Sequence, residues 1–343
     1  MKIVVFGNEH RVGALEEAGV VDLNEAFMAM SRDRREDVED VAGAERVPTQ
    51  LLALIERGRE AIADARRALA VVTSMSSGEL GPSGRPVVHD PGTVKLHAPW
   101  PGRRIACAGG NYPDHLARML AHLEGTAPRS LDETEREARD AGQWGFWKVV
   151  DEVAGPDDPI PVPRRTDRFD YEAEVAIVLG RSAKDVSPDE ADDLVWGFTL
   201  LNDWSIRDTR TRASPMSYNL AKNFDGCVSM GPAIVVGQHD PGLVDVALRV
   251  NGERRQSFNS SQMIFSFGEI LAELSRDLTL RPGDVVSGGT AAGTAADSTK
   301  PEPTGRVAPD LFLKPGDVVE LSSPQVGTMT NCVVAPVFER RRS

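Results

Sequence analysis

The sequence predicts an α+β fold, on three observations. Short runs rich in apolar and β-branched residues, among them 2–6, 20–23, 104–108, 170–180 and 228–236, are bounded by Gly, Pro or Asp and are too short for helices. Between them, residues 49–70, 130–142, 187–190 and 266–278 carry helical apolar spacing or helix-start signatures. A Ser-, Gly- and Pro-rich stretch at 74–92 separates a smaller N-terminal α/β part, residues 1–95, from a larger part, residues 96–343.

In the N-terminal part, the runs at 2–6 and 20–23 are separated by Gly13 and Gly19 and predict a hairpin. The segment Gly7-Asn8-Glu9-His10-Arg11-Val12-Gly13 follows a strand but lacks both G-x-G-x-x-G and G-K-[ST], which argues against a phosphate loop and a dinucleotide fold. The charged segment from Arg32 to Glu45 reads as a solvated helix or loop. Leu51, Ile55, Ile62 and Leu69 then recur with charges between them, so an amphipathic helix packs there.

The larger part opens on the strand Arg104–Gly110, whose two terminal glycines let backbone approach a ligand, followed by Asn111-Tyr112-Pro113-Asp114-His115. Ser130-Leu131-Asp132-Glu133 is a capping box, and Gly142 closes the helix it opens. Trp144-Gly145-Phe146-Trp147-Lys148 sets three aromatics beside a lysine, which suits a lid over residues 120–148, an interface anchor or a core wedge. Ser187-Pro188-Asp189-Glu190 and Ser266-Phe267-Gly268-Glu269 begin further helices, and Asp317 to Glu339 reads as a closing hairpin before a solvated tail, Arg340–Arg342.

Within the strand at 170–180, period-two alternation puts Tyr171, Ala173, Val175, Ile177 and Leu179 on one face and Glu172, Glu174, Ala176 and Val178 on the other. Two neighbouring carboxylates beside an apolar run need a proton, a cation between them, or water on that face. A hard divalent cation satisfies them, and an edge strand facing solvent is the alternative.

Composition limits the partners. A net charge of −13 and an isoelectric point near 5.0 disfavour nucleic acid and anionic membranes. Nowhere do enough apolar residues follow one another to span a bilayer, and the N-terminal run is too short for a signal peptide, so a cytoplasmic location is expected. Cys107, Cys227 and Cys332 are too scattered for a zinc site or a disulfide framework.

The ordered series G-x-N-Y-x-D-H, D-Y-E-x-E, N-D-W-S-x-R-D, A-K-N-F, V-N-G-E-x-R-Q and P-G-D-V-V-x-x-G-T stands at Gly109–His115, Asp170–Glu174, Asn202–Asp208, Ala221–Phe224, Val250–Gln256 and Pro282–Thr290. It resembles the fumarylacetoacetate hydrolase family over about residues 104–335. The resemblance implies a mixed β-sandwich roll, a homodimer, and one Mg²⁺, with Mn²⁺ or Ca²⁺ also possible as oxygen-binding ions. It implies Glu172, Glu174 and Asp203 as metal ligands, His115 as general base and Lys222 as the catalytic lysine. Asn111, Lys148, Arg207, Arg210 and Thr290 are the expected substrate contacts. Where relatives have a glutamate three residues after the histidine this chain has Arg118, leaving Glu124 or an acid in 132–140 as the candidate orienting group. The implied activity is hydrolysis of a C–C bond in a small oxo or 1,3-dicarbonyl acid such as an acylpyruvate. Decarboxylase, dehydratase and enol–keto isomerase activities are the alternatives, with a non-catalytic metal-binding scaffold behind them.

Overall fold

The structure is a computed structural model that describes residues 1–33, 45–72, 78–208, 217–237, 239–299 and 311–336. Most of the charged segment at 32–45, Arg210 and the Arg340–Arg342 tail lie outside the described residues.

The chain starts with a three-stranded antiparallel meander, β1 (Lys2–Phe6), β2 (Arg11–Glu16) and β3 (Gly19–Asp22). This corrects the simple hairpin expected from 2–6 and 20–23. Gly13 is not a separator but sits within β2, where a Cβ would lie 2.9 Å from Phe6, Val20 and the Val21 carbonyl oxygen. Arg11 adds a part-buried ion pair to Asp22 at 2.6 Å. Helix α1 (Leu23–Asp33) and helix α2 (Leu51–Val72) follow. The second buries Leu51, Leu54, Ile55 and Ile62, as the apolar spacing predicts, and breaks at Gly58 with φ 69°.

The main elements that follow are β4 (Val88–His89), β5 (Ile105–Gly109), α3 (Pro113–Glu124), α4 (Leu131–Ala141), β6 (Trp144–Lys148), β7 (Phe169–Asp170), β8 (Ala173–Leu179), β9 (Val195–Asp203), α5 (Ser217–Lys222), β10 (Val228–Val235), β11 (Asp245–Val250), β12 (Glu253–Asn259), α6 (Phe267–Leu274), β13 (Val285–Thr290), α7 (Ala295–Ser298), β14 (Val318–Ser323) and β15 (Gly327–Val334), with shorter strands and turns between them. One long mixed sheet runs β4-β3-β2-β1-β10-β9-β8-β13-β5-β6. The N-terminal strands join it through β1, whose Ile3 pairs with Ile234 of β10. A second sheet, β12-β11-β14-β15 with the short strand Ile160–Pro161, packs against it. No helix among the described residues is long and apolar enough to cross a membrane.

Strand β8 is buried on both faces, which decides the environment of its acids. Tyr171, Ala173, Val175, Ile177 and Leu179 face the second sheet, meeting Leu248 and Leu321 in one core. Ala176 and Val178 enter another core, with Leu54 and Ile55 of α2. The alternation read from the sequence is present, and neither face looks at water.

Gln256 of β12 stitches the two sheets together beside the acids. It is 1% exposed, its Oε1 accepts from the Ala173 amide at 2.9 Å, and its Nε2 donates to Thr290 Oγ1 at 2.9 Å and the Ala291 carbonyl at 2.8 Å. Replacing it by Leu strands buried polar groups, each worth roughly 1–3 kcal/mol. Gln256→Leu is therefore expected to lower unfolding free energy by about 2–4 kcal/mol in urea titration, with an unchanged m-value.

Candidate active site

The ends of β8 and β9 bring three acids together. Ala173 pairs with Asn202 and Glu174 with Leu201, and the Asp203 amide donates to the Glu172 carbonyl at 3.0 Å. That register places Glu172, Glu174 and Asp203 side by side, with one carboxylate oxygen from each lying within 4.8 Å of the others. Glu172 falls at the step between β7 and β8, its amide held by Asn202 Oδ1 at 2.9 Å.

Cations arrive from three other parts of the chain. Lys222, at the end of α5, donates to Glu172 Oε2, to Asp203 Oδ2 at 2.7 Å and to Ser205 Oγ at 2.8 Å. Lys148, at the end of β6, donates to Asp203 Oδ1. Arg207, just past β9, pairs with Asp170 at 2.8 Å and also with Glu172. Lys148 is thus fully enclosed behind a carboxylate and does not line the site cavity, whereas Arg207 and Lys222 do.

His115 lies in the first turn of α3, and its Nδ1 is 2.8 Å from Asp297 Oδ2 on α7. The orienting acid expected from Glu124 or residues 132–140 is therefore Asp297. Glu124 is instead engaged with Arg129 at 2.8 Å, Glu135 with Arg139 at 3.3 Å, and Arg118 is exposed on α3. Sequence reasoning missed Asp297, although Thr294-Ala295-Ala296-Asp297 is a helix-start pattern whose Thr294 hydroxyl caps the Asp297 amide. Nothing in that pattern aims the carboxylate at a residue so far back in the chain.

Of the other expected contacts, Thr290 lines the cavity, although its hydroxyl is engaged with the Ala173 carbonyl and Gln256. Asn111 does not line it. Its Nδ2 donates to the Phe265 and Gly288 carbonyls at 3.0 and 2.9 Å, and its Oδ1 accepts from the Phe265 amide at 2.8 Å, so it ties the loop before α6 to β13. The cavity wall is completed by Met119, Phe146 and Trp144. Trp144 lies on Gly109, where a Cβ would come 2.3 Å from the ring, and the pocket's volume is about 20 Å³. That is room for roughly one water molecule.

The charges of these side chains show what the set could hold. Five largely enclosed carboxylates (Asp170, Glu172, Glu174, Asp203, Asp297) face three cations (Lys148, Lys222, Arg207). Burial raises Glu172, but Lys222 and Arg207 more than reverse this and hold it ionised, well below the usual range. Among the described residues Glu174 has only the Ser287 hydroxyl as a side-chain partner, and burial with Asp203 and Glu172 nearby pushes its carboxyl far up. With all five carboxylates ionised and His115 neutral the set carries two excess negative charges, and oxygen donors of that charge fit a hard divalent cation such as Mg²⁺, Mn²⁺ or Ca²⁺. For His115, burial alone would lower the imidazole pKa, and the charge and hydrogen bond of Asp297 raise it above its ordinary value.

A buried three-carboxylate centre beside a histidine–aspartate pair, on a two-sheet roll, marks a class of α+β enzyme whose carboxylates could hold a divalent metal ion. The chain belongs to the fumarylacetoacetate hydrolase family: the family model for the fumarylacetoacetate (FAA) hydrolase C-terminal domain matches residues 104–334. The chain is 32% identical over 291 residues to oxaloacetate tautomerase YisK of Bacillus subtilis, covering 84% of this chain and 87% of that protein. Fumarylacetoacetate hydrolase from psychrophilic Exiguobacterium antarcticum superposes with a TM-score of 0.68 at 28% identity, covering 98% of this chain and 99% of the other. Maleylpyruvate hydrolase from Sphingobium sp. SYK-6, solved with manganese(II) and pyruvate, shares the fold at a TM-score of 0.65 and 21% identity, covering 98% and 100% of the two chains.

Two outcomes are expected. In a thermal-shift titration, saturating Mg²⁺ or Mn²⁺ raises the midpoint by on the order of 5 °C, and Glu174→Ala abolishes the rise. Asp297→Asn lowers kcat about 10²-fold, and because it removes the carboxylate that raises the His115 pKa, the acidic limb of the kcat/KM pH profile moves to lower pH. The linkage has a definite sign. The stability contributed by protonated His115 beside Asp297 is fully present below the unfolded histidine pKa of about 6.5 and is lost as pH rises through the raised folded value.

Proposed function

We propose that this chain is a divalent-metal-dependent keto–enol tautomerase of a small 2-oxo dicarboxylic acid, with oxaloacetate as the first substrate to test. The observation that carries the reading is the single His115–Asp297 proton carrier facing the three-carboxylate centre. The similarity to a tautomerase over most of both chains supports it. Moving one proton between carbon and oxygen needs one such carrier, whereas C–C hydrolysis also needs a placed water.

When bound by Glu172, Glu174 and Asp203, the ion would polarise the 2-oxo group as a Lewis acid. Asp297 accepts the Nδ1–H of neutral His115, which leaves Nε2 as the base that takes the proton from the carbon next to the 2-oxo group and returns it. Lys222 and Arg207 line the same cavity and place positive charge where the enolate oxygen and a carboxylate develop or bind. Substrate enters by displacement of the half-exposed Trp144 side chain, while the strand that carries it stays paired to β5. Assembly as a homodimer, checked by light scattering, belongs to the same proposal.

The match to a fumarylacetoacetate hydrolase keeps C–C hydrolysis as a second reading. The two separate in one assay on the Mg²⁺-loaded protein, which follows the decay of enol absorbance of oxaloacetate alongside product release from an acylpyruvate. The expected result is accelerated tautomerisation that falls at least about 10²-fold in His115→Ala and Glu172→Ala, with no cleavage. Cleavage of the acylpyruvate faster than tautomerisation overturns the proposal in favour of the hydrolase. Metal binding without turnover of either overturns it in favour of a scaffold.

A further inference from the structure

Away from the carboxylate centre, a cleft of about 750 Å³ opens between α2 and the far end of the long sheet, at Gly180, Val195–Phe198 and Val235–Gly237. Its volume is that of small-molecule sites in general. Two independent features mark it as built for a ligand.

The first is Trp196. The register of β8 and β9 pairs Val178 with Gly197 and Leu179 with Val195, which leaves Trp196 as the extra residue of a bulge. Bulges re-aim side chains. The indole is 9% exposed, yet its Nε1–H is buried without a hydrogen-bond partner. Its pyrrole edge lies against Gly180, where a Cβ would come 3.0 Å from Trp196 Cβ and 3.3 Å from Cδ1, and both residues line the cleft. That N–H is sealed from the cleft, and what the indole offers a ligand is the apolar edge of its ring.

The second is charge. Helix α2 breaks at Gly58 and presents Arg59 and Arg66 to the cleft. Arg59 is 3.6 Å from Asp193, and Asp192 stands on the same rim. Arg66 donates to the Val236 carbonyl at 3.1 Å and has no carboxylate partner among the described residues. Arg181 has no ion pair among the described residues either. Three arginines therefore meet two aspartates, a local positive excess on a chain of net charge −13. Ile62, Phe198 and Val236 supply apolar wall between them.

We propose that this cleft binds a small monocarboxylate with an aromatic-sized apolar body, its carboxylate held by Arg66 and Arg181 and its body packed beside Trp196 and Phe198. The site is separate from the carboxylate centre and independent of which reaction runs there. The test is isothermal titration of the full chain, its active site saturated with Mg²⁺ and oxalate, with 3-phenylpropionate as the probe. The expected result is one saturable site, weakened at least tenfold by Arg66→Ala and by Arg181→Glu, and at least threefold by Trp196→Phe. Arg181 is exposed, so Arg181→Glu is expected to keep the parent's far-ultraviolet spectrum and thermal midpoint, and the arginine variants carry the test if Trp196→Phe misfolds. Absence of a saturable heat, binding that survives both arginine changes, or binding seen only without oxalate would overturn the assignment.

Discussion

Five carboxylates enclosed with three cations constitute the constraint on which the rest of the molecule depends. Charges removed from water persist only when each is held by partners in good geometry. Here the partners come from widely separated places: Lys148 from β6, Lys222 from α5, Arg207 from beyond β9 and His115 from α3. The network therefore fixes how helices α3 and α5 and strand β6 dock around β8 and β9. It also means that a variant at any one of these residues leaves an uncompensated buried charge, so loss of activity and loss of stability travel together at this site.

Burial of β8 on both faces explains why two glutamates two residues apart behave oppositely. The core against the second sheet and the core against α2 exclude water from either side, so each carboxylate is governed by what touches it. Glu172 touches an ammonium and a guanidinium and is driven down, whereas Glu174 touches a hydroxyl and is driven up. The side of the triad nearest Glu174 is thus where added positive charge is most stabilising. A cation there complements Lys222 on the Glu172–Asp203 side.

Much of this was legible in the sequence because it rests on local pattern. The alternation in 170–180 correctly assigned both faces of β8, and the helical spacing of Leu51, Ile55 and Ile62 located α2. Alternation alone put Glu172 and Glu174 on one face, and Asp203 joined them only through the family resemblance; the three do meet at the ends of β8 and β9. What stayed hidden depends on chain crossings. Asp297 reaches His115 across 182 residues of sequence, and Lys148, read as a substrate contact, is turned inward onto Asp203. Strand β2 was obscured for a different reason: its central glycine reads as a turn, but tight packing against Phe6 and Val20 requires it.

The same two strands that carry the acids also carry the cleft. Strand β8 leads from Glu174 to Gly180, and β9 leads from Val195 and the bulged Trp196 to Asp203. They are paired along their length, apart from the bulge at Leu179 and Val195. A strand buried on both faces cannot shift at one end without repacking the cores on either side, because interiors at crystal-like density transmit displacement rather than absorb it. The bulge is the one place along the pair where register is not fixed by the ladder, and it lies under the cleft. A ligand packed beside Trp196 would act on that irregular end, while the regular ladder between Val178 and Ala173 holds Glu174 and Asp203 in step.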